Sequence, residues 1–322
     1  MLHKPPILDA LDYLLMAGGA VVLIAAAWRW RRGGWRDPLR GSPIRANKLT
    51  PIMLWCCLMA YVAGSGGGWW LGERLAPAGM TGTTLDAWQG VVAASVTQVL
   101  VVATCLVVAS RAFRAGLSGF GFGRGGLGVK SHRRDAGATQ VAGATRILGC
   151  TVSGTWTAFA WIAGGLLAAL CCTGVVVLVV QCMIRLVWPG YQPPEHGVFT
   201  MLESAQATRI MRFAAIASAA ILAPLGEECL FRGIVQTSIK KIVPPRPGSM
   251  YHRWLAIAAT AGIFGLMHAG TPQFVPALVA LGVLLGYLYE RTGSLWTPIA
   301  VHLLFNAKSL LWYHLQEYLA GS

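Results

Sequence analysis

The sequence contains little charge, and acidic residues are especially scarce. Charged residues make up 12% of the 322 positions, with 12 Asp and Glu against 26 Lys and Arg. Because soluble domains carry about 25% charged residues, this composition argues against a soluble fold. The 55% hydrophobic content and the mean hydropathy of +0.57 instead indicate an integral membrane protein.

Sequence motifs for zinc binding and thiol redox chemistry are also absent. The eight cysteines form no CxxC pair and no Cys/His spacing typical of a zinc site. The HExxH motif of zinc peptidases does not occur either. Most of the cysteines lie inside apolar runs, so we interpret them as small buried hydrophobic residues. The sequence therefore predicts no cofactor and no disulfide.

The distribution of the net charge of +14 indicates a membrane, rather than a nucleic acid, as the partner. Basic residues concentrate in three connections between apolar runs, at residues 29–48, 111–146 and 240–253. The connection at residues 188–207 has no Lys or Arg. Under the positive-inside rule, the three basic connections are predicted to be cytoplasmic and the fourth to lie outside. We therefore expect the lipid bilayer as a partner and no nucleic acid.

The apolar runs predict an all-α fold, a polytopic bundle of about eight transmembrane helices of roughly 20 residues each. We expect four of these helices in an N-terminal region, residues 1–200, and four in a catalytic region, residues 201–322. Pro224 in the fifth run predicts a kinked helix. The runs cover residues 11–28, 51–71, 88–110, 152–187, 208–240, 254–269, 274–290 and 295–313.

Polar residues interrupt three of the C-terminal apolar runs. An ionisable group inside a bilayer costs about 2.5–3.5 kcal/mol and therefore marks a candidate functional site. Counted from the nearest predicted cytoplasmic basic residue, Glu228, His268 and His302 lie at depths of about 18, 22 and 16 Å. Three helices thus bring polar side chains to a similar level of the membrane. The interrupting residues are Glu227, Glu228 and Arg232, then His268, and then His302 and Asn306.

The spacing of these residues assigns them to helix faces. Glu228 and Arg232 are four residues apart, so they can form an ion pair along one face. Glu227 is rotated by about 100° from Glu228 and can point into a different space, away from the arginine. A glutamate without an ion-pair partner is suited to act as a general base. His302 and Asn306, also four apart, could donate hydrogen bonds to a developing oxyanion.

Each of these groups also has a purely structural interpretation. The Glu228–Arg232 pair can persist in a membrane without taking part in chemistry, and we favour that interpretation for it. His268, like His302 with Asn306, could simply form hydrogen bonds between helices. Glu227 has no evident partner nearby in the sequence, so for Glu227 a functional role is favoured.

Three motifs resemble those of a known family. EECLFR at Glu227–Arg232 resembles the EExxxR motif of the CAAX prenyl protease type II family, also called the CPBP or ABI family of intramembrane glutamic endopeptidases. FGLMH at Phe264–His268 matches the family's FxxxH motif, and HLLFN at His302–Asn306 matches its HxxxN motif. The three motifs occur in order on three separate apolar runs. The resemblance covers about residues 208–313.

The resemblance implies a function and a set of roles. It implies an eight-helix endopeptidase in the membrane, in bacteria the plasma membrane, with its cavity open to the cytoplasm. Glu227 and His268 would activate water, while His302 and Asn306 would form the oxyanion hole. Glu228, Arg232 and Phe264 would support the site. The substrate would be a membrane-associated protein or peptide, and eukaryotic members remove the last three residues of prenylated CAAX proteins.

Several alternatives to a glutamic peptidase remain open at the level of the sequence. A zinc-dependent variant would use Glu227, His268 and His302 as metal ligands. A non-catalytic scaffold or immunity factor would use the polar cluster only to hold helices together. A transporter or proton relay would also place Glu and His inside the membrane, although no inverted repeat supports transport.

Overall fold

The computed structural model describes most of the chain. It covers residues 5–34, 36–43, 45–123, 145–147, 150–152, 154–192, 194, 197–245 and 249–320. Some residues used above to predict the topology lie outside the described residues. These are Arg124, Lys130, Arg133, Arg134 and Arg246.

The described residues form long helices and one short antiparallel hairpin. Strands β1 (Thr145–Ile147) and β2 (Cys150–Val152) make the hairpin. The helices are α1 (Pro6–Arg32), α2 (Pro51–Leu75), α3 (Gly82–Ala112), α4 (Gly154–Val187), α5 (Gly197–Glu203), α6 (Arg209–Ile242), α7 (Tyr251–Leu266), α8 (Val275–Thr292) and α9 (Trp296–Ala320).

The helices confirm the predicted all-α membrane bundle but not the count of eight crossings. Six helical segments within the described residues are long and apolar enough to span a membrane: α1 to α4, α6, and α8 with the short turn before it. Helix α7 has 16 residues, or about 24 Å of helix, which is less than a hydrocarbon core of about 30 Å. Helix α9 has 25 residues but is not among the six, and polar residues interrupt it.

Helices α2 and α3 are packed together through glycines four residues apart. A Cβ atom on Gly64, Gly68 or Gly72 would lie 2.6 to 2.8 Å from a Cα atom of α3. Small residues at this spacing allow the backbones of membrane helices to approach closely. The α2–α3 pair in turn packs against α6, which carries the first motif.

Helix α6 continues through Pro224 by means of two wider turns. Residues Ser218–Leu222 and Cys229–Gln236 are π-helical, and the six residues between them are α-helical. A proline lacks the backbone N–H that an α-helical turn needs, and π-helical turns are a common accommodation that often coincides with functional sites. The glutamates of the first motif lie directly between these two turns.

The described parts of the connections rich in Lys and Arg meet at one end of the bundle, which we call the basic end. Glu290 at the end of α8 is fully buried there, with Lys240 Nζ at 2.6 Å and Arg253 Nη1 at 3.2 Å. Arg45 donates to the carbonyl of Tyr289, and Lys241 donates to the carbonyl of Leu49. The loop between α1 and α2 is therefore anchored to the C-terminal helices.

The opposite end, which we call the far end, is held by α5 and its neighbours. Tyr313 of α9 donates to Glu203 at the end of α5, and Arg212 of α6 donates to the carbonyl of Ser204. Helix α4 packs against both α8 and α9, so residues on either side of position 200 form one bundle. The division into residues 1–200 and 201–322 stays a prediction.

Candidate active site

A buried ion pair forms the base of the site. Glu228 and Arg232 of α6 are both fully buried, and Nη1 of Arg232 lies 3.0 Å from Oε1 of Glu228, as the four-residue spacing predicts. The guanidinium also donates to the carbonyl of Gly282 and stacks 4.8 Å from the centre of the Phe264 ring. Removing the carboxylate would leave an uncompensated buried cation, so the pair holds three helices together.

His302 of α9 lies between the two glutamates. Its Nδ1 is 2.9 Å from Oε1 of Glu228, and its Nε2 is 3.8 Å from Oε2 of Glu227. An ionised carboxylate only accepts hydrogen bonds, so Nδ1–H donates to Glu228, and in the neutral imidazole Nε2 carries the lone pair. Glu228, expected above to be a structural residue, therefore also orients His302 and selects its tautomer.

Glu227 differs from its neighbour in reaching open space. Its side chain is 14% exposed, whereas that of Glu228 is 0% exposed. Glu227 lines a cavity of about 730 Å³ together with His268, His302 and Asn306. The rotation between successive residues of a helix thus separates the two carboxylates, as predicted. One carboxylate is sealed in an ion pair, and the other faces the cavity.

His268 reaches the same cavity from the end of α7. Its Nδ1 lies 2.8 Å from the carbonyl oxygen of Phe264. Because a carbonyl can only accept, Nδ1–H donates and the lone pair of Nε2 is left for another group. The ring of Phe264 packs against both histidines, with centroid distances of 5.0 Å to His268 and 5.8 Å to His302. Phe264 therefore sets the spacing of the two imidazoles.

Asn306 lies one turn beyond His302 on α9 and also faces the cavity. Its Nδ2 donates to the carbonyl of Ala219 at 2.9 Å. Ala219 belongs to the first π-helical turn of α6. An amide nitrogen carries two hydrogens, so this bond fixes the side chain and leaves a second N–H for a ligand.

The zinc variant would take Glu227, His268 and His302 as its three ligands. Among the described residues, no group of three or more His, Cys, Asp or Glu is placed so that it could hold a metal ion. We therefore derive no step through a metal. The zinc variant remains a separate prediction, which metal analysis of the purified protein would test.

The N-terminal helices contribute to the cavity in a way that sequence reasoning missed. Asp12 and Met16 of α1, and Thr173 and Gln181 of α4, line the cavity opposite the motif residues. Asp12 also forms an ion pair with Lys308 of α9. The signal available in the sequence was the presence of acidic residues at the edge of the first apolar run. Their pairing with a residue almost 300 positions away has no local signature.

The cavity lies toward the far end of the bundle. Besides α1 and α4, its wall includes Phe199 of α5 and Phe274 in the turn before α8. On the basic side of Glu227, the interior of α6 is filled, with Arg232, Ile234 and Gln236 fully buried. The resemblance implied a cavity open to the cytoplasm, whereas the basic connections predicted to be cytoplasmic lie at the opposite end. The two expectations are not compatible in this structure.

The fold and the site define a polytopic membrane protein with a carboxylate–histidine cluster at a cavity inside the bundle. Residues 209–308 match the model of the type II CAAX prenyl endopeptidase Rce1-like family. The resemblance seen in the three motifs is therefore confirmed for this segment.

One curated relative has a name that also describes a membrane peptidase. "Putative membrane peptidase YdiL" of Bacillus subtilis (strain 168) is 29% identical over 109 residues. The match covers 33% of this chain, and the chain spans only 38% of that relative's length. Among solved structures, none matches this chain. The family match thus covers the helices that carry the site, and the N-terminal helices lie outside it.

Proposed function

We propose that this protein is an intramembrane endopeptidase that hydrolyses a peptide bond with a glutamate-activated water. One observation carries the proposal: Glu227 alone of the two adjacent glutamates faces the cavity, with its Oε2 opposite Nε2 of His302 at 3.8 Å. That separation is too long for a direct hydrogen bond. It suits a water molecule that contacts both atoms.

The first chemical step is addition of this water to the carbonyl carbon of the substrate. Glu227 accepts one proton of the water as the oxygen forms a bond to that carbon. The carbonyl π bond breaks, and its electron pair becomes the oxyanion of a tetrahedral intermediate. The remaining N–H of Asn306 would donate to this oxyanion. Collapse of the intermediate breaks the C–N bond, and the proton held by Glu227 passes to the leaving amine.

His302 and His268 have distinct parts in this scheme. Because Glu228 fixes Nδ1–H of His302, the lone pair of its Nε2 is directed at the water and at Glu227. His268 presents its own Nε2 at the cavity because its Nδ1 is bonded to Phe264. The pair expected from the resemblance was Glu227 with His268. The contacts favour His302 as the partner of Glu227, with His268 contacting the substrate or the water from the other helix.

The substrate we propose is a membrane-associated protein or peptide. Much of the cavity wall is apolar, with Leu170, Val177 and Leu178 of α4 facing Leu278 and Phe305. An apolar wall beside a catalytic carboxylate accommodates a lipidated or membrane-embedded segment. We propose the bacterial plasma membrane as its location, in line with the relative from Bacillus subtilis that is named a membrane peptidase.

Glu227→Gln is the decisive variant. Loss of a general base typically lowers turnover by about 10²–10⁴-fold, and the amide conserves the shape of the side chain. Peptide cleavage should be measured with protein purified in detergent and reconstituted in vesicles. Glu73→Gln is the matched control, because this glutamate is exposed at the end of α2. Unchanged cleavage by Glu227→Gln would contradict the proposal. No cleavage by the wild-type protein, together with a loss of stability in Glu227→Gln, would favour a scaffold.

A further inference from the structure

The two ends of the bundle differ strongly in charge. Among the described residues, the basic end has thirteen Lys and Arg and two acidic residues, Asp37 and Glu290. The far end of the same described part has five Lys and Arg and six acidic residues. The basic-end cations are Arg29, Arg31, Arg32, Arg36, Arg40, Arg45, Lys48, Arg111, Arg114, Lys240, Lys241, Arg253 and Arg291. The far-end groups are Arg74, Arg185, Arg209, Arg212 and Lys308, with Asp9, Asp12, Glu73, Asp86, Glu203 and Glu317.

Tertiary contacts show that the cations of the basic end form one face of the protein. The backbone N–H of Lys48, in the α1–α2 loop, donates to the carbonyl of Ala112 at the end of α3. The N–H of Arg114 donates in turn to the carbonyl of Ala46 in that loop. Arg253 donates to the carbonyls of Ser42 and Pro43 in that loop. Lys and Arg excess in short connections is the signal that keeps a membrane protein's loops in the cytoplasm. The basic end is therefore the cytoplasmic end.

The lining of the cavity extends away from that end. Along α9 its lining runs from His302 through Asn306 to Ser309 and Leu310, toward the far end. Along α7 it runs from Phe264 to His268 and then to Thr271 and Phe274. Both helices have their other ends at the basic face. Toward that face the path is closed by the buried side chains of Arg232, Gln236 and Tyr289.

We propose that the catalytic cavity opens to the non-cytoplasmic side of the membrane. The substrate class is then exported peptides, or the outward-facing ends of membrane-embedded segments, rather than cytoplasmic protein tails. This inference about substrates rests on the proposed peptidase function, whereas the sidedness of the cavity does not. Because the acidic residues described at the far end balance the cations there, a substrate approaching from outside meets no excess of positive charge.

Sidedness is tested by thiol labelling in intact cells, with cysteines placed at the two ends. Ser309→Cys lies in the cavity wall, and Ser249→Cys lies in the connection between α6 and α7 at the basic end. Both are single-atom changes, made in a background without the exposed native Cys56 and Cys182. We expect a membrane-impermeant maleimide to label Ser309→Cys equally before and after permeabilisation. Ser249→Cys should be labelled only after permeabilisation.

The reverse labelling pattern would overturn the inference. A second measurement does not depend on cysteines: alkaline phosphatase fused after residue 322 should be active, because α9 ends at the far end, and the corresponding green fluorescent protein fusion should be dark. A fluorescent fusion with an inactive phosphatase would place the cavity at the cytoplasm. Neither assay requires peptidase activity, so both report the sidedness of the cavity even if the protein is not a peptidase.

The substrate class is tested separately by comparing new protein termini in cells with wild-type protein and with Glu227→Gln. Termini that disappear in the variant should map to exported or outward-facing segments. Termini that map to cytoplasmic segments would overturn the substrate class. No difference between the two strains would instead contradict the proposed function.

Discussion

Two fully buried carboxylates, Glu228 and Glu290, lie on neighbouring helices and are paired with cations in similar ways. Glu228 contacts Arg232 and His302, and Glu290 contacts Lys240 and Arg253. Only the first cluster adjoins a cavity, because Glu227 and His302 open onto it. The second is enclosed by Gln236 and by the loop between α1 and α2.

The difference shows that a buried ion pair does not by itself identify a functional site. The polarity, burial and pairing of the two clusters are alike, and both obey the requirement that a buried charge is compensated. The distinguishing feature is a second carboxylate with partial exposure, one residue away from the sealed one. We therefore assign chemistry to the Glu227 side and anchoring to the Glu290 side.

The strongest test of this contrast compares Glu290→Gln with Glu228→Gln. Each change leaves buried cations without their carboxylate, so each should destabilise the protein by about 3–5 kcal/mol. Thermal unfolding in detergent would show the loss. Glu290→Gln should keep the specific activity of the molecules that remain folded, whereas Glu228→Gln should lower it because His302 loses its orienting partner. Equal specific activities of the two variants would show that Glu228 has no more part in catalysis than Glu290.

Asn306→Ala should affect turnover with little effect on folding. Removing one oxyanion donor typically lowers turnover by about 10²–10³-fold, and KM should change less. Ser309→Ala is the control, because Ser309 lies on the same helix and lines the same cavity without contacting the motif residues. Normal turnover by Asn306→Ala would show that the amide serves only to hydrogen-bond α9 to Ala219 of α6.

Gly68→Ala tests the packing of α2 against α3, which supports α6, rather than the active site itself. Its new Cβ would lie 2.6 Å from the Cα of Ala93, and overpacking of this kind costs about 1–3 kcal/mol. Gly67→Ala, which meets nothing within 4 Å, serves as the matched control. The unfolding temperature should fall for Gly68→Ala alone. A similar fall for both variants would show that the close contact of Gly68 with Ala93 is not responsible, because Ala is a better helix former than Gly.

Asp12→Asn should have the smallest effect on stability. Asp12 and Lys308 are 24% and 23% exposed, and partly exposed ion pairs contribute about 0–1 kcal/mol. Because both residues line the cavity, the variant should alter KM for charged peptides more than it alters the unfolding temperature. A loss of stability as large as that of Glu290→Gln would mean that this pair, too, is an anchor.

Local sequence patterns anticipated much of the site. The four-residue spacing of Glu228 and Arg232 predicted their ion pair, and the rotation of Glu227 predicted that it points elsewhere. Depth counting brought Glu228, His268 and His302 to a similar level, and the two histidines line one cavity with Glu227. These predictions succeeded because they depend on helix periodicity and length, which are properties of a single helix. The predicted count of eight crossings was not confirmed, because α7 is short and α9 is interrupted by polar residues.

The sequence by itself determined that the chain is an all-α membrane protein with a polar cluster on its C-terminal helices, because hydropathy and helical periodicity are local. Only the tertiary structure decided that His302 joins Glu228 to Glu227, since a hydrogen bond across 74 residues depends on how α6 and α9 pack. It also decided that α1 and α4 complete the cavity. The direction in which the cavity opens follows from which ends of the helices are filled with side chains, and that is a property of packing alone.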